Sequence, residues 1–98
     1  MAVKAVIGSS IAGFFLAGIS GLVFTSQPIG RETSFYVRPE SRGTRAAYLL
    51  VWAFMDWCAE RDVPCLVTIH FGHDNEKAYR FIERMGMAEI GRLFGKDI

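Results

Sequence analysis

The stretch VRPESRGTRAAYLL, Val37 to Leu50, joins a β-branched and aromatic segment to a long run of helix-forming residues. A sharp turn that opens a helix leaves backbone N–H groups without intrahelical acceptors. Together with the helix dipole, such groups hold phosphate. Here the donors of Arg42, Gly43, Thr44, Arg45, Ala46 and Ala47 occupy that place. Gly43, Ala46 and Ala47 are small enough to let an anion reach the backbone. The exception is Arg45, a long side chain where a small one is expected; swung outward, it adds a charge-assisted contact to the same anion, and turned inward it fills the site. Elsewhere, His70 and His73 flank the end of the apolar segment CLVTIHF. Histidine changes charge near neutral pH, so either is a candidate proton carrier. Cys58 and Cys65 show neither CxxC spacing nor a cluster of histidine ligands. They read as two buried thiols in a reducing compartment, ahead of a disulfide or a metal site.

These residues sit in a chain of 98, enough for one domain, taken here as residues 1–98. Hydrophobic residues make up 51% and aromatic residues 13%, so a packed core is expected and disorder is not. The net charge is +1 with no basic run, which gives no electrostatic reason to expect nucleic acid as a partner. Ala5 to Phe24 carries no charge over a span long enough to cross a bilayer. Gly8, Gly13, Gly18 and Gly21, with Ser9, Ser10 and Ser20, break it into strand-length pieces, and buried strands are allowed to be continuously apolar. Membrane insertion is therefore the lesser reading, and a cytoplasmic protein the expected one.

The elements that must position the turn follow from the same punctuation. Met1 to Ile7 and Ile11 to Ser20 read as a hairpin about Gly8–Ser10, and Leu22 to Ser26 as a third strand. The segment SQPIGRE reads as a loop because Pro28 and Gly30 break regular structure. Thr33 to Val37 is a fourth strand, ended by Pro39. From Thr44 to Asp62 neither glycine nor proline interrupts, which predicts the main helix. Cys65 to Phe71 is a strand, and NEKAYRFIERM a second helix that stops at Gly86. The ending MAEIGRLFGKDI reads as a final strand or bent hairpin. The predicted order is β-β-β-β-α-β-α-β, an α/β (α+β) fold with one mixed, largely antiparallel central sheet and two helices. On the main helix Ala46, Leu50, Ala53, Phe54 and Trp57 share the face expected to pack on the sheet. Tyr48, Trp52 and Met55 form a second apolar face, a candidate surface for a protein partner or a homodimer.

Taken together, YVRPESRGTRAAYLLVWAFMDWCAERDV and NEKAYRFIERMGM resemble the GNAT superfamily of acyl-CoA-dependent N-acyltransferases. Val37, Pro39, Glu40, Arg42 and Gly43 match that family's V-x-P-E-x-R-G. Asn75, Ala78, Phe81, Glu83, Arg84 and Gly86 match its second helix motif. SSIAGFFLAGI is similar to the family's G-x-I-V-G-F strand, and IGRLFGKDI to its last strand. The R-G-x-x-A-A turn looks closer to short members encoded by bacteriophages and their hosts. The resemblance implies acetyl-CoA (or CoA) as the ligand and transfer of an acetyl group to an amine by direct attack. It places the pyrophosphate on Arg42 to Ala47, the pantetheine arm along Phe35, Tyr36 and Val37, and Asn75 in the cofactor site. It also implies that the strand of Tyr36 and Val37 supplies a backbone N–H for the developing oxyanion.

Two departures bear on catalysis. The family's frequent acid, a tyrosine on the second helix, is Ile82 here, so Tyr79 one turn earlier, or His70, is the candidate replacement. Glu32 is the carboxylate best placed, by analogy, to act as base. The family's N-terminal helices have no counterpart in these residues, so the resemblance is to a truncated GNAT fold. A catalytically weak member that binds and modulates a protein is the alternative reading.

Overall fold

The computed structural model describes residues 1–21, 26–68, 75–91 and 94–97. They fall into two compact units, Met1–Thr68 and Ile69–Ile98.

In the first unit, strands β1 (Ala2–Ile7), β2 (Ser10–Gly21), β3 (Pro28–Val37) and β4 (Cys65–Leu66) form one sheet in the order β1-β2-β3-β4. The β1–β2 and β2–β3 pairs are antiparallel and β3–β4 is parallel. Helix α1 (Ala46–Glu60) makes the crossover from β3 to β4, as a parallel pair requires. The mixed sheet and two helices agree with the fold class read from the sequence. Two ladder irregularities shape the sheet. Between Ala5 and Val6 the partner on β2 jumps from Gly13 to Ile11, so Ala12 is bulged out. Between Leu16 and Ala17 the partner on β3 jumps from Ser34 to Glu32, so Thr33 is the extra residue. The second bulge resets the alternation of β3: Gly30 and Glu32 point inward before it, Val37 after it.

The core lies between the sheet and α1. Phe15 of β2 stacks on Phe54 of α1 at a centroid distance of 4.7 Å and meets Phe35 of β3 at 5.1 Å. Ala46, Leu50, Phe54 and Cys58, each four residues apart, form the buried stripe of α1 with Val51 beside them. The predicted stripe included Ala53 and Trp57, which are half-buried; the helix is rotated so that Val51 and Cys58 take the inward places. Tyr48 and Trp52 stack on each other and are 42% and 48% exposed, while Met55 is half-buried. The helix ends at Arg61 and Asp62. Asp62 adopts φ +54°, and its N–H closes on Ala59 O.

Three boundaries differ from the sequence reading. Pro28 and Gly30 open β3 and do not form a loop. Proline is tolerated as the first residue of a strand, where its missing donor breaks no ladder bond. β4 keeps only Cys65 and Leu66 of the expected Cys65–Phe71, because Val67 and Thr68 leave the ladder; positions 69–71 lie outside the described residues. The expected strand from Leu22 to Ser26 also falls on positions outside them, apart from Ser26, which is not in a strand.

In the second unit α2 (Asn75–Arg84) carries a half-buried apolar stripe of Ala78, Phe81 and Ile82, and Met85 continues it. It stops where predicted, in a motif with Met87 N–H donating to Ile82 O and Gly86 N–H donating to Glu83 O. The expected last strand does not form among the described residues 87–91 and 94–97. A strand needs a ladder partner, and none pairs with this segment, in which Ile90 and Phe94 are exposed. No helix among the described residues is long and apolar enough to cross a membrane.

Candidate active site

β3 and β4 pair only at Gly30–Cys65 and Arg31–Leu66, then part. The bulge at Thr33 is the cause. A continued parallel ladder would set Thr33 against Thr68, and the extra residue carries β3 away from that register. In place of the ladder bond, Thr68 N–H donates to the Glu32 carboxylate at 3.4 Å. Glu32 is 4% exposed, a carboxylate held inside the fold where the two strands separate. Beyond this point the edge of β3 that faces away from β2 has no strand partner among the described residues.

Which donors lie on that open edge follows from one hydrogen bond. Arg38 N–H donates to Ala12 O of β2 at 2.8 Å. Peptide groups alternate along a strand, so the Val37 N–H and C=O point the other way, to the edge without a partner. Gly13 keeps the opposite side closed. A Cβ built there would lie 2.5 Å from Tyr36 O and 3.1 Å from the Val37 α-carbon, so only glycine lets β2 approach so closely.

The chain then turns through a 3₁₀ segment, Pro39–Ser41, into α1. Arg42 folds back on the strand it has just left. Its Nε donates to Val37 O at 2.9 Å and its guanidinium lies 5.7 Å from the Tyr36 ring centroid. The Arg42 side chain therefore braces the turn against β3. Gly43 takes φ +85°, a conformation costly for a residue with a Cβ. Thr44 donates its hydroxyl to Ser41 O at 2.5 Å and accepts the Ala46 N–H at 3.2 Å, serving as the side-chain cap of α1.

The six N–H groups expected to be open are therefore not equivalent. Arg42 N–H is engaged by Pro39 O, Thr44 N–H by Ser41 O and Ala46 N–H by Thr44 Oγ1. Among the described residues, the donors of Gly43, Arg45 and Ala47 meet no acceptor in the chain; nor does that of Tyr48. The first acceptor the helix supplies is Arg45 O, for Leu49. Four N–H groups at the head of a helix, around an exposed glycine, with the exposed Arg45 side chain beside them, can bind a diphosphate.

The remaining candidates are distributed differently. Phe35 and Val37 point into the core and Tyr36 to the opposite face, 45% exposed. Asn75 is the first residue of α2 and Tyr79 lies exposed on that helix, both in the second unit. His70 and His73 fall outside the described residues. No group of metal-ligating side chains occurs among the described residues. Sequence reasoning missed the role of Thr44 as a cap; a threonine two residues before a helix start is the signal that was available.

The model of the acetyltransferase (GNAT) family matches residues 2–87. The chain belongs to this family. Solved structures share its fold. A Trypanosoma brucei acetyltransferase superposes with a TM-score of 0.73 at 17% identity, over 92% of this chain and 61% of that one. An aminoglycoside N-acetyltransferase in complex with CoA gives 0.76 at 18% identity, over 99% and 74%. A ribosomal-protein-alanine N-acetyltransferase from Brucella melitensis biovar Abortus 2308 gives 0.75 at 17% identity, over 99% and 70%. The GNAT chain described here thus spans 61% of the length of the T. brucei protein. No curated protein matches it.

Proposed function

We propose that this GNAT chain binds acetyl-CoA and transfers the acetyl group to an amine by direct attack on the thioester. The observation that carries the reading is the row of unengaged N–H groups at the head of α1, beside a strand edge left open by the parting of β3 and β4. The pyrophosphate of CoA fits the first feature: Gly43, Arg45, Ala47 and Tyr48 offer donors at the positive end of the helix dipole, and Arg45 adds a mobile charge. The pantetheine arm, with its two amides, fits the second as a stand-in for the missing strand along Phe35 to Val37. The CoA complex of the aminoglycoside N-acetyltransferase, whose fold this chain shares, supports the same ligand class.

Within that arrangement the chain's own groups have distinct tasks. The Val37 N–H, on the open edge, would donate to the carbonyl oxygen as negative charge builds on it. Glu32 is the carboxylate nearest the fork along β3 and would accept the proton that the attacking amine must lose, directly or through water. The braced turn keeps donor and strand in fixed relation, so positioning supplies much of the rate. With Ile82 at the position of the family's tyrosine, Tyr79 or His70 is the candidate acid for the departing thiolate.

Thermal shift with acetyl-CoA, CoA and ATP tests the ligand. Selective stabilisation by the two CoA species is expected, about 2.7 kcal/mol when ligand is roughly 100-fold above Kd. No shift at millimolar ligand, or an equal shift with ATP, defeats the assignment. Arg45→Gly separates two roles of that side chain: a phosphate contact predicts weaker CoA binding, a plug predicts tighter binding. Release of free CoA thiol against a panel of amines, polyamines and peptides then tests transfer itself.

A further inference from the structure

Away from the fork, Gly30 of β3, Cys58 of α1 and Cys65 of β4 meet at one point of the core. A Cβ built on Gly30 would fall far inside van der Waals contact with the Cys58 sulfur, so that sulfur occupies the space a side chain at position 30 would fill. Gly30 is the ladder partner of Cys65. Paired residues on neighbouring parallel strands direct their side chains to the same face, about one strand spacing, ~4.8 Å, apart. The Cys65 β-carbon therefore lies about that far from a point the Cys58 sulfur already fills. The two thiols are near enough for Cys65 to act on the Cys58 thiol, adding to the effect of burial. Both are free cysteines in the reduced chain. Nothing in the proposed transfer reaction uses them.

We infer that Cys58 and Cys65 are a reversible oxidation site, closing an intramolecular disulfide across the α1–β4 turn while the fold stays intact. Bridging them asks for β-carbons about 3.5–4.5 Å apart, which a small shift of the turn 61–64 supplies; rotation about the two Cα–Cβ bonds then aims one sulfur at the other. Exposure sets the order of events. Cys58 is fully buried and Cys65 is half-buried, so a hydroperoxide reaches Cys65 first. Its thiolate takes one oxygen, giving sulfenic acid and, from hydrogen peroxide, water. The Cys58 sulfur then attacks the Cys65 sulfur. The S–O bond breaks, and the departing oxygen leaves as a second water with the Cys58 proton. Burial and the neighbouring Cys65 hold the Cys58 thiol protonated, with its pKa pushed up to about 12. Condensation is accordingly the slow step, and the sulfenic acid lives long enough to be trapped. The bond would tie the last turn of α1 to the two residues of β4 that pair with β3, fixing the base of the fork above which Glu32 sits.

The test is peroxide treatment of the native chain, followed by intact mass, peptide mapping and near-UV circular dichroism. The expected product is monomeric, lacks two hydrogens, joins the peptides of Cys58 and Cys65, keeps its near-UV spectrum and reverts with dithiothreitol. Dimedone added with the peroxide should label Cys65. Cys58→Ala should retain that label and lose the intramolecular bond; Cys65→Ser should resist peroxide. Overoxidised Cys65 beside a reduced Cys58, a dimer joined through Cys65, no reaction, or a disulfide formed only with loss of the near-UV spectrum would each overturn the inference.

Discussion

Gly13→Ala tests the geometry on which the open edge depends. The added methyl would sit 2.5 Å from Tyr36 O and 3.1 Å from the Val37 α-carbon, where ordinary contact begins at 3.4 Å. Both obstacles are backbone, so relief requires β2 and β3 to separate by nearly an ångström or the ladder to tilt. Overpacking of this kind costs about 1–3 kcal/mol. Gly18 lies on the same strand, and a Cβ there meets nothing within 4 Å. Gly18→Ala therefore keeps the usual benefit of replacing glycine in a strand, about 0.5–1 kcal/mol. The two variants should differ by about 1.5–4 kcal/mol, with Gly13→Ala the less stable. For a domain of this size that is a separation in Tm of at least ~6 °C, read by thermal melts at fixed protein concentration. A functional consequence follows from the proposed role of Val37. A displacement of that order at an oxyanion donor lowers kcat/KM by as much as ~100-fold, while Gly18→Ala should leave it near the parent value. Equal melting temperatures for the two variants would refute the close approach. A destabilised Gly13→Ala with undiminished kcat/KM would refute the place given to Val37.

Two further outcomes are open to measurement. Gly43→Ala meets no steric obstacle, so its cost is the φ +85° backbone alone, about 1–2 kcal/mol; Gly43→Asn should recover part of it, and both Tm and CoA affinity report the change. The Cys58 thiol keeps its proton in the folded chain from its ordinary 9.0 up to about 12, while the unfolded chain releases it. In that window the folded state binds more protons, so this contribution is full below pH 9 and is lost as pH rises toward 12. Urea midpoints on either side of pH 9 should fall less with pH in Cys58→Ala than in the parent.

Much of this molecule was legible as punctuation. Pro39 after Val37, an uninterrupted run to Asp62 and Gly86 after Met85 each mark a boundary found in the fold to within a residue or two. They could be read because each acts through its own backbone. Pro28 and Gly30 were misread by the same rule. A breaker is only a local statement. The first residue of a strand gives up no ladder bond to proline, and Gly30 is small because the Cys58 sulfur arrives from α1, far away in sequence. The buried stripe of α1 shows the same limit. The pattern established that one face is apolar, but the docking angle on the sheet chose Val51 and Cys58 over Ala53 and Trp57.

For the site, the turn from Val37 to Ala47 was visible because its residue types carry their chemistry with them: a helix head, small residues and an arginine. Which N–H groups stay open was not. That depends on Thr44 folding onto Ala46 and on carbonyls of the 3₁₀ turn taking alternate donors. By itself the sequence determined the family and the position of the turn proposed to hold the anion, both written in contiguous residues. Tertiary structure alone decided that β3 and β4 part, that the Val37 N–H faces the gap and that Glu32 is enclosed at its base. A single extra residue at Thr33 does this by shifting register against neighbouring strands, and a shift in register exists only once the strands are paired.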